Sequence, residues 1–284
     1  NLSEANPSSN RGGAALPDFY DEQVPSNRWG LWIQDRMTMG KRLSSEVGLR
    51  LSRSSITGNV EVEPRLSLLL RGSDTWRWRA AYGSHSQSPG IEKLLQSDYF
   101  LDLSALGLRN ERSRHGTLTF EKDFESVSLK AEGYYKNFSD LIVGALETDA
   151  ELATRLARYD FPASLQSSIP TEKFITTTPT NGASGRSWGF ELVATRPQKR
   201  GDQFLSGWAS YGYGKATKEA YDRTLPFEYD RRHSLSIVSQ LNASERFQVG
   251  LTFRASSGFA RTAPLGVRVV PTEDTLDADQ DGNL

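Results

Sequence analysis

The sequence contains no cysteine. Disulfides, thiolate catalysis and Cys-ligated zinc are therefore excluded, while a cytosolic protein and an exported one without disulfides both remain open. Long apolar runs are missing too: uninterrupted stretches of Ala, Val, Ile, Leu, Met, Phe, Trp, Tyr or Cys never exceed three residues. A membrane-spanning helix needs roughly 20, so a helical membrane protein is excluded. No sign of charge dominates, with 34 Lys and Arg against 35 Asp and Glu and a net charge of -1. Without a basic footprint, no nucleic-acid partner is expected. Histidine is scarce, and the scattered positions of His85, His115 and His233 predict no metal site. No signal peptide is visible and the first residue is Asn1, which points to a processed chain or a piece of a longer one. The length of 284 residues fits one large β-domain or two ordinary ones.

What the sequence does contain is alternation with a period of two. Leu43, Val47, Leu49 and Leu51 fall on one face of their segment, with Glu46 and Arg50 on the other. Leu66, Leu68 and Leu70 oppose Arg65 and Arg71, and Trp76, Trp78, Ala80 and Tyr82 oppose Arg77 and Arg79. Leu129, Ala131 and Tyr135 oppose Lys130, Glu132 and Tyr134; Trp188, Phe190 and Leu192 oppose Glu191; Val249, Leu251 and Phe253 oppose Arg254. These segments run to roughly 9–12 residues, longer than the common strand of about 5–6 and suited to a tilted strand crossing a bilayer.

Connections alternate in length. Short polar turns are expected near Met39–Arg42, Gly72–Thr75, Lys122–Glu125, Pro197–Asp202 and Asn242–Glu245, and longer connections at 54–61, 85–112, 147–182, 219–230 and from 257 onward. Short turns on one edge and long loops on the other are the pattern of an antiparallel up-and-down transmembrane β-barrel, here with ten strands. Aromatics form two bands. Trp76, Phe120, Phe124, Phe204 and Phe247 lie close to short turns, and Tyr82, Tyr134, Tyr135, Trp188, Tyr211, Tyr213 and Phe253 lie far from them, as in girdles at two bilayer interfaces. A soluble sheet with one solvated face would alternate in the same way.

Cost decides which face would meet lipid. A Lys or Arg at the bilayer midplane costs roughly 2–4 kcal/mol, so Glu46, Arg50, Arg65, Arg77, Arg79, Lys130, Glu132, Glu191 and Arg254 are expected to face a polar interior. A filled eight-stranded barrel has little room for so many long charges, and a wide, hydrated or plugged lumen is expected.

Several stretches resemble the barrel of TonB-dependent outer-membrane receptors. Gly30-Leu-Trp-Ile-Gln-Asp35 followed by Leu43-Ser-Ser-Glu-Val-Gly-Leu-Arg50 is similar to one hairpin of that family. Pro64-Arg-Leu-Ser-Leu68, Arg79-Ala-Ala-Tyr-Gly83 and Ser86-Gln-Ser-Pro89 are similar to the next strand pair and the loop after it. Glu132-Gly-Tyr-Tyr-Lys-Asn-Phe-Ser-Asp-Leu-Ile142 resembles a strand exit, and Asn181-Gly-Ala-Ser-Gly-Arg-Ser-Trp-Gly-Phe-Glu-Leu192 resembles the strand that follows. Arg232-His233 and Ser256-Ser-Gly-Phe-Ala-Arg-Thr-Ala-Pro264 match late segments loosely. The resemblance implies a barrel of about 22 strands with a plug domain and a TonB-contacting segment ahead of it. On that basis 1–28 is expected to be the end of an external loop, 29–256 the strands, and 257–284 a truncated external loop of one partial barrel domain. The resemblance also implies outer-membrane lipid, a plug domain, the TonB complex and a small-molecule or oligosaccharide ligand as partners, in the outer membrane of a Gram-negative-type bacterium.

Candidate chemistry is sparse. Asp277, Asp279 and Asp281-Gly282 give D-x-D-x-D-G, the opening of an oxygen-ligand calcium loop. The bidentate Glu of such a loop would follow Leu284, and an acidic solvated loop is the alternative. No G-x-S-x-G elbow is present, and Asp230-Arg-Arg-His233 reads as a polar strand start. No enzymatic function is expected. Connection 147–182, with a short helix expected at Asp149–Tyr159 and a Thr-rich tail at Thr176–Thr180, is favoured with 85–112 for ligand contacts. The leading reading is a transporter that imports a scarce large solute: a ferric siderophore, a vitamin or an oligosaccharide. An omptin-like ten-stranded protease fits the strand count, although no adjacent Asp-Asp or Asp-His occurs. A soluble adhesin or glycan-binding β-protein is the third reading.

Overall fold

Apolar and polar residues that alternate along a strand put one kind of side chain on each face of a sheet. In this chain, a single antiparallel sheet carries that pattern. The computed structural model describes residues 26–90, 107–159, 169–197, 205–244 and 246–260. Its strands are β1 (Arg28–Met39), β2 (Leu43–Ser54), β3 (Val60–Ser73), β4 (Trp76–Gln87), β5 (Glu111–Asp123) and β6 (Ser128–Leu146). The helix α1 (Asp149–Ala157) precedes β7 (Ile175–Arg196), β8 (Leu205–Ala220), β9 (Arg223–Pro226), β10 (His233–Ser244) and β11 (Phe247–Ser256). Ten long strands pair in chain order from β1 to β11, and short β9 pairs only with β8. Among the described residues β1 and β11 are the two edges, so the sheet is an open arc.

The expected ten strands are all present, with β9 as an addition. Tyr221 and Asp222 sit at φ +56° and +55°, the two left-handed positions of a tight hairpin turn. β8 therefore continues to Ala220 and turns straight back into β9, where the sequence predicts a loop over 219–230. Connection 147–182 is likewise shortened, because β7 already begins at Ile175. Its Thr176–Thr180 tail is rich in β-branched residues, which favour extended backbone.

The register separates two faces. On one, Ile33 pairs with Leu49, Val47 with Leu66, Leu70 with Trp78, Trp78 with Phe120, Phe190 with Tyr213 and Ile237 with Phe253. No described element covers that face: Leu31 is 67% exposed, Ile33 72% and Leu251 59%. Among the described residues Leu108, Ala183 and Ala220 are buried, with Pro89 and Pro179, and none of the large side chains of the apolar stripe is. An isolated soluble domain would bury its apolar face in a core. One girdle expectation is corrected: Tyr134 pairs with Thr117 and Gly189 and lies on the polar face, since successive residues of a strand point oppositely. Phe204 lies outside the described residues.

Candidate functional site

The nine charged residues expected from the sequence to face a polar interior all fall on the face opposite the apolar stripe. Arg50 pairs with Glu63, Gly48 with Arg65, Leu69 with Arg79, Arg71 with Arg77, Glu121 with Lys130, Glu132 with Glu191, and Ser236 with Arg254. Many charges on this face meet an opposite one. Arg36 lies 2.7 Å from Glu46, Arg50 3.7 Å from Glu63, and Lys130 2.9 Å from Glu132. Arg77 holds Glu121 and lies 3.5 Å from Asp123, and the Thr119 hydroxyl donates to Glu132 over 2.9 Å. Arg79, Glu191 and Arg254 have no ion-pair partner within 4.0 Å among the described residues. The register also joins two histidines far apart in sequence: the rings of His85 and His115 lie 4.8 Å apart, and Arg65 reaches His85 Nδ1 at 3.5 Å.

Toward the end of the arc with the longer connections, the ladders loosen and polar side chains fill the gaps. The β3–β4 ladder stops at Arg65–Gly83, one residue short of Pro64, which has no N–H to donate. Glu61 and Glu63, each 4% exposed, occupy the split. Arg112 Nε donates to Glu61 over 2.9 Å, and the backbone N–H of Ser86 donates to Glu63 over 2.7 Å. Buried carboxylates need such partners. In β6 the register shifts between Phe138 and Leu141, and Asp140 takes φ +57°, a bulge that one left-handed residue allows. Arg109 Nη2 donates to the Asp140 carboxylate over 2.6 Å. The Asn181 amide donates to the carbonyls of Asp140 (2.7 Å) and Arg109 (3.0 Å), and its oxygen accepts from the Arg109 N–H (2.7 Å).

The β6–β7 connection is held by one arginine. The helix α1 starts with a capping box, the Thr148 hydroxyl accepting from the Glu151 N–H (3.2 Å) and the Glu151 carboxylate from the Thr148 N–H (2.7 Å). From its last turn Arg155 donates to Glu147 (2.9 Å) and to the carbonyls of Pro170 (2.9 Å) and Glu172 (2.7 Å), with its guanidinium 3.8 Å from the Phe174 ring centre. The Arg155 guanidinium, and then the Phe174 N–H, hold the Glu147 carboxyl below its ordinary value. Lys173 does the same for Asp149. A cleft of about 590 Å³ lies beside this connection, lined by Val143, Leu146, Thr180, Glu219, Tyr221 and Arg223 among others. The Tyr221 hydroxyl donates across it to the Gly144 carbonyl over 2.7 Å.

A family model described as "TonB dependent receptor-like, beta-barrel" matches residues 2–284. The chain belongs to this family. As a TonB-dependent receptor barrel it is similar in fold to the FrpB iron transporter from Neisseria meningitidis, at 13% identity and a TM-score of 0.57 over 81% of this chain and 32% of that one. The siderophore receptor PirA from Pseudomonas aeruginosa matches at 15% identity and a TM-score of 0.57, over 83% and 38%. The ferric-catecholate import receptor Fiu from E. coli K12 matches at 11% and 0.58, over 81% and 34%. This receptor chain therefore spans about a third of the length of these structures. No curated protein matches it by sequence.

Asp277, Asp279 and Asp281 lie outside the described residues, as do 91–106 and 160–168 of the connections favoured for ligand contacts. Sequence reasoning missed Glu61, Glu63, Arg112 and Arg155. Pro64 inside an alternating run was the available signal for the first two, since it interrupts a ladder. For Arg155 the signal was Thr148-x-x-Glu151, which sets the start of the helix that carries it.

Proposed function

We propose that this chain is part of the wall of an outer-membrane transporter that imports a scarce large solute, with a ferric siderophore as the cargo. The separation of faces by the register carries the reading. With the apolar face in lipid, the cations of the other face avoid a cost on the order of ten kcal/mol or more that the reverse orientation would impose. Glu46, Arg50, Arg65, Arg77, Arg79, Lys130, Glu132, Glu191 and Arg254 then line a hydrated lumen. Charges of both signs with free members such as Arg79, Glu191 and Arg254 suit contact with a polar plug domain. Residues 1–28 and 257–284 are external connections in this reading, and connections 147–182 and 85–112 form the ligand-facing rim. The plug and the TonB complex supply gating and energy.

A ferric siderophore is favoured over a vitamin or an oligosaccharide because the three similar structures are an iron transporter, a siderophore receptor and a ferric-catecholate import receptor. A protease role has no support in the residues, and a soluble adhesin does not account for the uncovered apolar face. The test is uptake of radiolabelled iron by cells with and without the gene, in a TonB-competent and a TonB-deficient background. Loss of TonB-dependent uptake of one ferric chelate is the expected result. Unchanged iron uptake together with lost growth on a vitamin or glycan would replace the cargo, and absence of the protein from the outer-membrane fraction would end the reading.

A further inference from the structure

Two neighbouring cross-strand rows on the apolar face differ sharply in chemistry. The first runs Tyr82, Gly116, Tyr135, Trp188, Lys215. Its three aromatics are 44–49% exposed, and amphipathic rings in such a row mark the level where hydrocarbon gives way to headgroups. One step farther from the short turns, the second row runs Ser84, Arg114, Asn137, Arg186, Thr217. Arg114 and Arg186 thus project from the same face as the aromatics, two strands or about 10 Å apart. Lys215 lies diagonal to Arg186 across the β7–β8 pair, a separation of about 7–8 Å.

These cations are poorly compensated by the protein. Among the described residues, neither Arg114 nor Lys215 has a hydrogen-bond or ion-pair partner, and Arg186 has only Glu219, at 3.6 Å. Arg112, the next cation up β5, is turned to Glu61 instead. A side chain that extends from an apolar face just beyond an aromatic row reaches the depth of lipid phosphates.

We infer that Arg114, Arg186 and Lys215 form a seat for the phosphate groups of an outer-leaflet lipid headgroup carrying more than one phosphate. The inference rests on the lipid-facing assignment above. Three cations spread over two rows and three strands suit two separated phosphates better than one, and Asn137 between the arginines adds a hydrogen-bond donor. Arg supplies bidentate contacts to phosphate and Lys a point charge.

The test uses the full-length receptor, wild type and with Arg114→Gln, Arg186→Gln and Lys215→Gln combined, reconstituted with a bis-phosphorylated glycolipid, its enzymatically dephosphorylated form, or phosphatidylethanolamine. Native mass spectrometry counts retained lipid. The wild type is expected to retain the bis-phosphorylated lipid at least about tenfold better than the other two. The triple variant is expected to lose that preference, while Lys122→Gln at the opposite rim keeps it. Equal retention by the triple variant, equal retention of the dephosphorylated lipid, or displacement by millimolar inorganic phosphate would overturn the inference. Heat-modifiable migration and iron uptake of the triple variant report on folding and on the transport reading separately, so failure of either is told apart from failure of the seat.

Discussion

The side-chain amide of Asn181 donates to the backbone carbonyl of Asp140 over 2.7 Å, tying the start of one family-like motif to the end of another. Asp140 sits in a left-handed bulge, and Asn181 also exchanges two hydrogen bonds with the backbone of Arg109. One side chain therefore holds the lead into β5 together with β6 and β7 where their ladders loosen.

Asn181→Ala removes all three bonds and leaves their backbone partners to water. The expected loss is about 1–3 kcal/mol of local stability, since each net bond contributes about 1 kcal/mol. Hydrogen exchange should rise at residues 107–112 and 138–143 while the opposite ends of the same strands keep wild-type protection. Uniform loosening of the sheet would show that the clasp is not local.

The orientation of the sheet is tested by one substitution on each face. Leu118 lies mid-strand on the apolar face, 52% exposed and paired with Ala80 and Gly133, whereas Thr117 faces the polar side between Ala81 and Tyr134. Leu118→Arg is expected to cost roughly 2–4 kcal/mol if it meets hydrocarbon and to abolish the heat-modifiable form in outer membranes. Thr117→Arg adds the same charge one residue away and should leave assembly intact. Equal defects would reverse or remove the assignment.

Acid should release the helix-bearing connection. Glu147 is held below its ordinary pKa of 4.5 by Arg155 and the Phe174 N–H. A depressed carboxyl contributes stability above its unfolded pKa, and that contribution is lost as pH falls through the folded value. Intrinsic-rate-corrected hydrogen exchange of 149–157 is expected to be unchanged from pH 7 to 5 and to increase progressively below about 4.5. Glu147→Gln should exchange faster at neutral pH and lose most of the acid dependence. A pH response that survives this substitution would point to Glu151, held low by the Thr148 N–H and hydroxyl, or to the Asp149–Lys173 pair as its source.

Much of the sheet was legible because its cause is local. Leu66, Leu68 and Leu70 declare their face without reference to any other strand, and the turns after Met39 and Ser73 are short polar interruptions. The rim was not legible for the converse reason. His85 and His115 become neighbours only through the β4–β5 register, and Asn181 meets Asp140 only after β6 has bulged. The β8–β9 hairpin was hidden because Tyr221 and Asp222 take up a turn usually marked by Gly or Asn. The strand start at Ile175 was hidden because Pro179, Asn181 and Gly182 carry the composition of a loop.

Packing on the polar face offers a test that separates backbone from side-chain causes. Gly189 pairs with Tyr134 on one side and Gly214 on the other, and the Tyr134 hydroxyl lies over both glycines. A methyl group at either position would come 2.8 Å from that hydroxyl, closer than non-bonded atoms tolerate. At Gly189 the methyl would in addition overlap the Tyr213 carbonyl, which the β7–β8 ladder fixes in place. Gly214→Ala is therefore expected to lower stability modestly, by roughly 1 kcal/mol or less, because the Tyr134 ring can swing aside; Gly189→Ala should cost about 1–3 kcal/mol or more. Adding Tyr134→Ala should restore the melting temperature of Gly214→Ala toward that of Tyr134→Ala alone, yet leave Gly189→Ala defective. Equal rescue of both would mean that the ring, and not the Tyr213 carbonyl, is what requires glycine at 189.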